Sequence, residues 1–127
     1  MARTTYLESS TNPYSLAVRA GDTLYLSGHV PIDPETGDIS GNNVTDQARQ
    51  TFDNLVATLQ AVNASLDDVV KVGVFLTDVK KDFEAMNAVY RDYFPVNPPA
   101  RTTVGISALA LSGLLIEIEM TAYVPEK

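Results

Sequence analysis

Two amphipathic helical stretches interleaved with alternating strands constrain this chain more than any other feature. From about Val44 to Val62, the apolar residues Ala48, Phe52, Leu55, Val56, Leu59 and Val62 recur at helical spacing. Asn43 stands at the N-cap position with Asp46 three residues on, an acidic variant of a capping box. A second helix is expected from about Asp82 to Phe94, with Phe83, Met86, Tyr90 and Phe94 on one stripe. Pro95 and then Pro98-Pro99 end it. Strands are expected at Leu16 to Arg19 and Thr23 to Ser27, flanking the hairpin signal Ala20-Gly21-Asp22. Others follow at Val69 to Thr77, Thr102 to Ser107 and Leu114 to Val124, with a short extra strand near Tyr6. Hairpins mixed with helical crossovers predict an α+β fold, a mixed sheet with both helices on one face.

Side chains alternate along a strand, so each strand can be split into two faces. One face is aliphatic throughout: Leu24 and Leu26; Val70, Val72, Val74 and Leu76; Thr102, Val104 and Ile106; Ile116, Ile118 and Met120. The other mixes Tyr25, Phe75, Leu115 and Tyr123 with Ser27, Arg101, Thr103 and Glu117. Aromatic residues on the second face point to cover by further copies of the chain. A half-wet open sheet is the alternative.

Charge on these strands needs a reason. A buried charged group costs several kcal/mol, on the order of a lost ion pair, unless it is paired, hydrogen-bonded or awaiting a charged ligand. Arg101 follows the stiff Pro98-Pro99 pair and offers a rigid fork of donors that suits a carboxylate. It reads either as a carboxylate clamp or as a salt bridge to Glu117, Glu119 or a surface acid. Glu117 reads either as a proton-transfer group in a partly dry pocket or as a solvated strand position. It shares a face with Arg101 only in a suitable register of the last two strands. Asn87 lies off the apolar stripe of the second helix, placed to reach a strand edge, a neighbour or solvent. Phe83, Met86 and Tyr90 read as core.

Other chemistries are disfavoured. Ser27-Gly28-His29 lacks a nucleophile-elbow context, and its side chains two apart are expected on one face. His29 is the only histidine, which excludes a histidine-rich metal site. Asp33 to Asp38 reads as a turn, without the ligand pattern of a calcium loop. No phosphate-cradling glycine loop or dinucleotide fingerprint occurs. The net charge of −7 opposes nucleic-acid or anionic-membrane binding, so any anion site must rely on local donors. The 127 residues, 45% hydrophobic and 20% charged, fit one soluble domain spanning residues 1–127. No apolar run approaches the roughly 18 residues of a membrane span. The lack of cysteine and of an apolar leader fits a cytoplasmic, reducing setting.

Seven short segments occur in an ordered set: Asn12-Pro13-Tyr14-Ser15, Leu26 to Pro31, Asp67 to Lys71, Val74 to Asp78, Met86 to Tyr90, Pro99 to Thr102 and Ile116 to Glu119. With them the chain resembles the reactive intermediate deaminase (RidA, formerly YjgF) family over nearly its whole length. The resemblance implies a chorismate-mutase-like fold and a homotrimer with a barrel-like centre and sites between subunits. It implies cofactor-free and metal-free hydrolysis of 2-enamine and 2-imine acids, such as 2-aminoacrylate, to 2-keto acids and ammonia. The family's carboxylate-binding arginine falls on Arg101 and its site glutamate on Glu117. Its tyrosine falls on Tyr14, its serine on Ser27 and its helical asparagine on Asn87. Backbone amides near Gly28 and Thr103 are expected to orient the substrate. Here Asn12-Pro13 stands where glycine-proline is usual, His29 where glutamine is common, and the loop Ser107 to Gly113 lacks the usual proline. A non-catalytic binder of small carboxylates and a holdase-like chaperone are the competing expectations.

Overall fold

The computed structural model describes residues 4–8 and 11–125. Its elements are β1 (Thr4–Glu8), β2 (Ser15–Ala20), β3 (Thr23–His29), α1 (Val44–Ala61), β4 (Val69–Leu76), α2 (Val79–Tyr93), β5 (Ala100–Gly105) and β6 (Ile116–Tyr123). One six-stranded sheet runs in the order β1-β2-β3-β6-β4-β5. Only β4 and β5 are parallel, joined by the α2 crossover. The α+β architecture with two helices on one face is as expected.

Local chemistry sets the elements. Gly21 adopts φ 61° at the first position of the turn between β2 and β3, where a side chain would be strained. The Asn43 side chain accepts from the Asp46 amide at 2.9 Å and opens α1. α2 starts at Val79, earlier than expected, because the Asp78 carboxylate accepts from the Lys81 amide and caps it there. It ends at Tyr93, just ahead of Pro95.

The core lies between the sheet and both helices. Leu24, Val72, Val74, Leu76, Ile116 and Ile118 are fully buried against Ala48, Phe52, Leu55 and Leu59 of α1 and Met86 of α2. Phe52 stacks on Tyr93 at 4.5 Å and meets Tyr90 edge-on at 5.7 Å, locking the two helices together. The sheet's other face is open: Tyr25 and Tyr123 are each more than half exposed.

The expectations about the last strands are corrected. β5 begins at Ala100 and ends at Gly105, so Arg101 lies inside it. The last two strands do not pair at all, because β4 lies between them. The faces of β5 are also reversed. Arg101 and Thr103 pair with the buried Val72 and Val74, and thus lie on the helix side. Thr102 and Val104 pair with Gly73 and Phe75 on the open side. An edge strand tolerates this, since only one of its flanks is packed.

Candidate functional site

Arg101 stands where edge strand β5 meets α2. Its Nη1 donates to the Asn87 Oδ1 at 2.7 Å. Its guanidinium carbon lies 4.6 Å from the centre of the Tyr90 ring and 5.8 Å from that of Phe83. Cation–π contacts of this kind contribute about 0.5–2 kcal/mol and hold the fork flat. Phe83, Asn87 and Tyr90 recur on one face of α2, so a single helix supplies both rings and the amide. Their spacing was visible in the sequence, but Phe83 and Tyr90 read there only as core. Phe83 is in fact 38% exposed. No carboxylate pairs with Arg101 among the described residues. The Asn87 carbonyl takes one of its five donors. A recess of about 290 Å³ opens beside it, bounded by Asn87, Tyr90, Phe94, Pro98 and Pro99. The buried hydroxyls of Tyr90 and Thr103 have no hydrogen-bond partner among the described residues.

Glu117 lies on the opposite face of the sheet. It pairs with Phe75 on β4, whereas Arg101 pairs with Val72. The expectation that the two share a face is therefore overturned. The reason is strand order: alternation along a strand was counted correctly, but β5 meets β4 with its other face turned to the helices. Glu117 lines a recess of about 600 Å³ with Tyr14, Ser27, Gly28, Val30, Ile32 and Leu111. Burial pushes its carboxyl above the ordinary value of 4.5, and the like charge of Glu119 adds to the shift. Its Oε2 lies over the bare Cα of Gly28, where a Cβ would approach within 2.1 Å.

Ser27 donates its hydroxyl proton to the Ser15 carbonyl at 2.6 Å. It is thus left as an acceptor, not a nucleophile. Tyr14 stands half exposed at the rim. His29 does not share the face of Ser27, contrary to expectation; it turns toward α1 and is buried. Gln47, fully buried on α1, donates to the carbonyls of Gly41 and Gly113 and accepts from the Leu115 amide. It thereby pins the loop that carries Leu111 across the recess. Gln47, Phe83 and Tyr90 carry no signal in the sequence that marks them as site residues.

The structure therefore brings Tyr14, Ser27, Gly28 and Glu117 together on one face, and Asn87, Arg101 and Thr103 on the other. Among the described residues, no group of three or more histidine, cysteine, aspartate or glutamate side chains is placed to hold a metal ion. Among the described residues, no helix is long and apolar enough to cross a membrane.

A six-stranded mixed sheet with both helices on one face, and a recess at each of the two groups of residues, define an α+β protein with room for small ligands. The family model described as Endoribonuclease L-PSP matches residues 6–124. The chain is 48% identical over 111 residues to a RutC family protein of Pyrococcus horikoshii, covering 87% of this chain and 86% of that protein. Over 114 residues it is 38% identical to the mitochondrial protein MMF1 of Saccharomyces cerevisiae, covering 90% of this chain and 75% of that protein. Among solved structures, the Rid family protein YyfA of Yersinia pestis superposes with TM-score 0.89 at 38% identity, covering 97% of this chain and 100% of that one. RidA from an Antarctic Psychrobacter superposes with TM-score 0.84 at 39% identity, covering 91% and 92%. The chain belongs to the Endoribonuclease L-PSP family, the YjgF or Rid family, and has its fold.

Proposed function

We propose that this protein hydrolyses 2-enamine and 2-imine acids to 2-keto acids and ammonia in clefts formed between copies of the chain. One observation carries the reading. Arg101 is half-buried, oriented by Asn87 and two rings, and has no carboxylate partner among the described residues. Such a fork is prepared for a small carboxylate, which it would hold by two charge-assisted bonds.

The chemistry needs only water. Once an enamine has tautomerised to its imine, water adds to the imine carbon and the C=N electron pair moves to nitrogen. Glu117, ionised, takes a proton from that water and returns it to nitrogen. In the resulting carbinolamine, Glu117 takes the hydroxyl proton and delivers it to nitrogen as the C=O bond forms and the C–N bond breaks, leaving a keto acid and ammonia. A carboxyl with a raised pKa suits both directions of this transfer, which is worth roughly 10²–10⁴-fold. Ser27 accepts a hydrogen bond from the substrate nitrogen, Tyr14 closes the rim, and the amides near Gly28 and Thr103 orient the carboxylate.

One copy cannot supply both halves, because Arg101 and Glu117 lie on opposite faces. In a homotrimer, the β5 edge of one copy meets the Glu117 recess of the next, and the open face turns inward to a barrel-like centre. The reading requires no cofactor, and places the protein in the cytoplasm. The family model's description names an endoribonuclease, but this chain carries −7 and its one histidine is buried and bonded at both nitrogens. Neither property serves RNA cleavage.

Complementation tests the proposal. Arg101→Ala and Glu117→Gln are purified separately, and each is expected to lose turnover of freshly generated 2-aminoacrylate. Unfolded together in equal amounts and refolded, they form mixed assemblies. Random association in a closed ring restores both native residues at about a quarter of the clefts, and that fraction of the wild-type rate. No recovery would overturn the shared cleft. A wild-type protein that binds 2-oxobutyrate through Arg101 without turnover would instead establish a non-catalytic binder. Suppression of client aggregation unaffected by Arg101→Ala would favour the holdase reading.

A further inference from the structure

The pairing of β3 with β6 slips between Leu26 and His29. Leu26 faces Met120 and His29 faces Ile118, so β3 spends one residue more than its partner. This is a β-bulge at Ser27-Gly28. It reverses the alternation of side chains. Leu24 and Leu26 point to the helices, and an unbroken strand would send Gly28 there and His29 outward. The bulge turns His29 inward instead, to 7% exposure.

There the imidazole is held at both ends. Nδ1 lies 2.7 Å from the Ser27 carbonyl oxygen, and Nε2 lies 2.8 Å from the Thr58 hydroxyl on α1. A carbonyl only accepts, so Nδ1 carries the proton. Nε2 is then bare and accepts from Thr58. Burial lowers the histidine's pKa and keeps this neutral form. The ring is thus a strut from a rigid helix to the carbonyl immediately before Gly28.

Gly28 is the residue on which the Glu117 carboxylate rests. We propose that His29, anchored by Thr58, is a positioning residue: it holds the Ser27-Gly28 bulge in the shape that sets the Glu117 carboxylate over Gly28. This rests on the catalytic reading of Glu117 above. The strut is separate from the support of the loop that follows, because Asn54 donates independently to the carbonyls of Val30 and Ile32. Loss of the strut therefore relaxes the bulge while the loop stays pinned.

Three variants test it. His29→Leu fills the space and removes both hydrogen bonds. Thr58→Val keeps the shape and removes only the anchor. His29→Gln retains an N–H for Ser27 and an oxygen for Thr58. On a 2-imine acid, His29→Leu is expected to lower kcat on the order of 10–100-fold, as displacements near 1 Å do. KM should stay within about 2-fold, since the Arg101 clamp is untouched. Thr58→Val should fall between, and His29→Gln should recover most of the lost kcat. Unchanged kcat in both His29→Leu and Thr58→Val, or a loss in KM alone, overturns the proposal. The Glu117 carboxyl resonance, titrated by carbon NMR in the wild type and in Thr58→Val, decides the matter separately from turnover. A shifted titration supports the strut, and an identical one refutes it, even if the wild-type protein proves to be no deaminase.

Discussion

A methyl group on Gly28 separates the catalytic reading of this site from a structural one. Gly28 does not adopt a positive φ, so alanine meets no backbone penalty there. What its Cβ meets is Glu117: Oε2 at 2.1 Å, Cδ at 2.7 Å and Cγ at 3.0 Å. Each lies inside the ~3.5 Å of a normal carbon contact, so the carboxylate must retreat by more than about 1 Å. The atoms displaced are the far end of a flexible side chain facing an open recess. The cost to folding is therefore small, about 1 kcal/mol or less, like other changes at wet positions. The cost to chemistry is not small, because a displacement of about 1 Å in a proton-transfer group lowers the rate by roughly 100-fold. Urea denaturation gives the first quantity, and steady-state release of keto acid from a 2-imine acid gives the second. Gly28→Ala with unchanged stability and about one-hundredth of the turnover is the expected result. Full turnover in a variant shown by crystallography to have moved the carboxylate would refute the role given to Glu117.

Two further outcomes follow from the same geometry. Glu117 must be ionised to take a proton from water, so activity should rise with pH through a carboxyl pKa lying above the ordinary 4.5. Glu119→Gln removes the like charge that helps raise it, so the acid limb of kcat should move to lower pH; an unmoved limb would show that burial alone sets the value. Gln47→Ala strands the carbonyls of Gly41 and Gly113 and the amide of Leu115. With a fully buried cavity added, the loss should be about 3 kcal/mol in urea or thermal unfolding, and a loss under about 0.5 kcal/mol would show that water replaces the side chain.

Much of the fold is legible in the sequence because its signals are local. The α1 stripe of Ala48, Phe52, Leu55 and Leu59, with the Asn43 cap, needs only helical periodicity and one side-chain bond. The α2 boundary was missed because Asp78 follows an apolar strand and precedes Lys80-Lys81, so the cap lay hidden between two patterns. The bulge is not legible for a deeper reason. Nothing in Leu26-Ser27-Gly28-His29 announces an extra residue, since a bulge is a relation between two strands, and β6 (Ile116–Tyr123) lies far along the chain from the local signals that place β3.

The site shows the same division between what is local and what is relational. Arg101, Asn87, Glu117 and Ser27 were all named from residue type and family resemblance, and each has a polar or titrating environment in the fold. The assignment of Arg101 and Glu117 to one face of the sheet was wrong, because side-chain alternation assigns faces within a strand but not between strands. β5 joins the sheet through a parallel pairing with β4, and that register turns Arg101 toward α2. An arginine on the inner face of a central strand would pay the desolvation cost of a buried charge. At the edge, Phe83 and Tyr90 cover the guanidinium with ring faces and Asn87 supplies an uncharged acceptor. That environment keeps the cation oriented without neutralising it, which is the condition for gripping a carboxylate that arrives from outside. Had Asn87 been an aspartate, the fork would be satisfied within its own chain, and the same fold would have no grip on an acid.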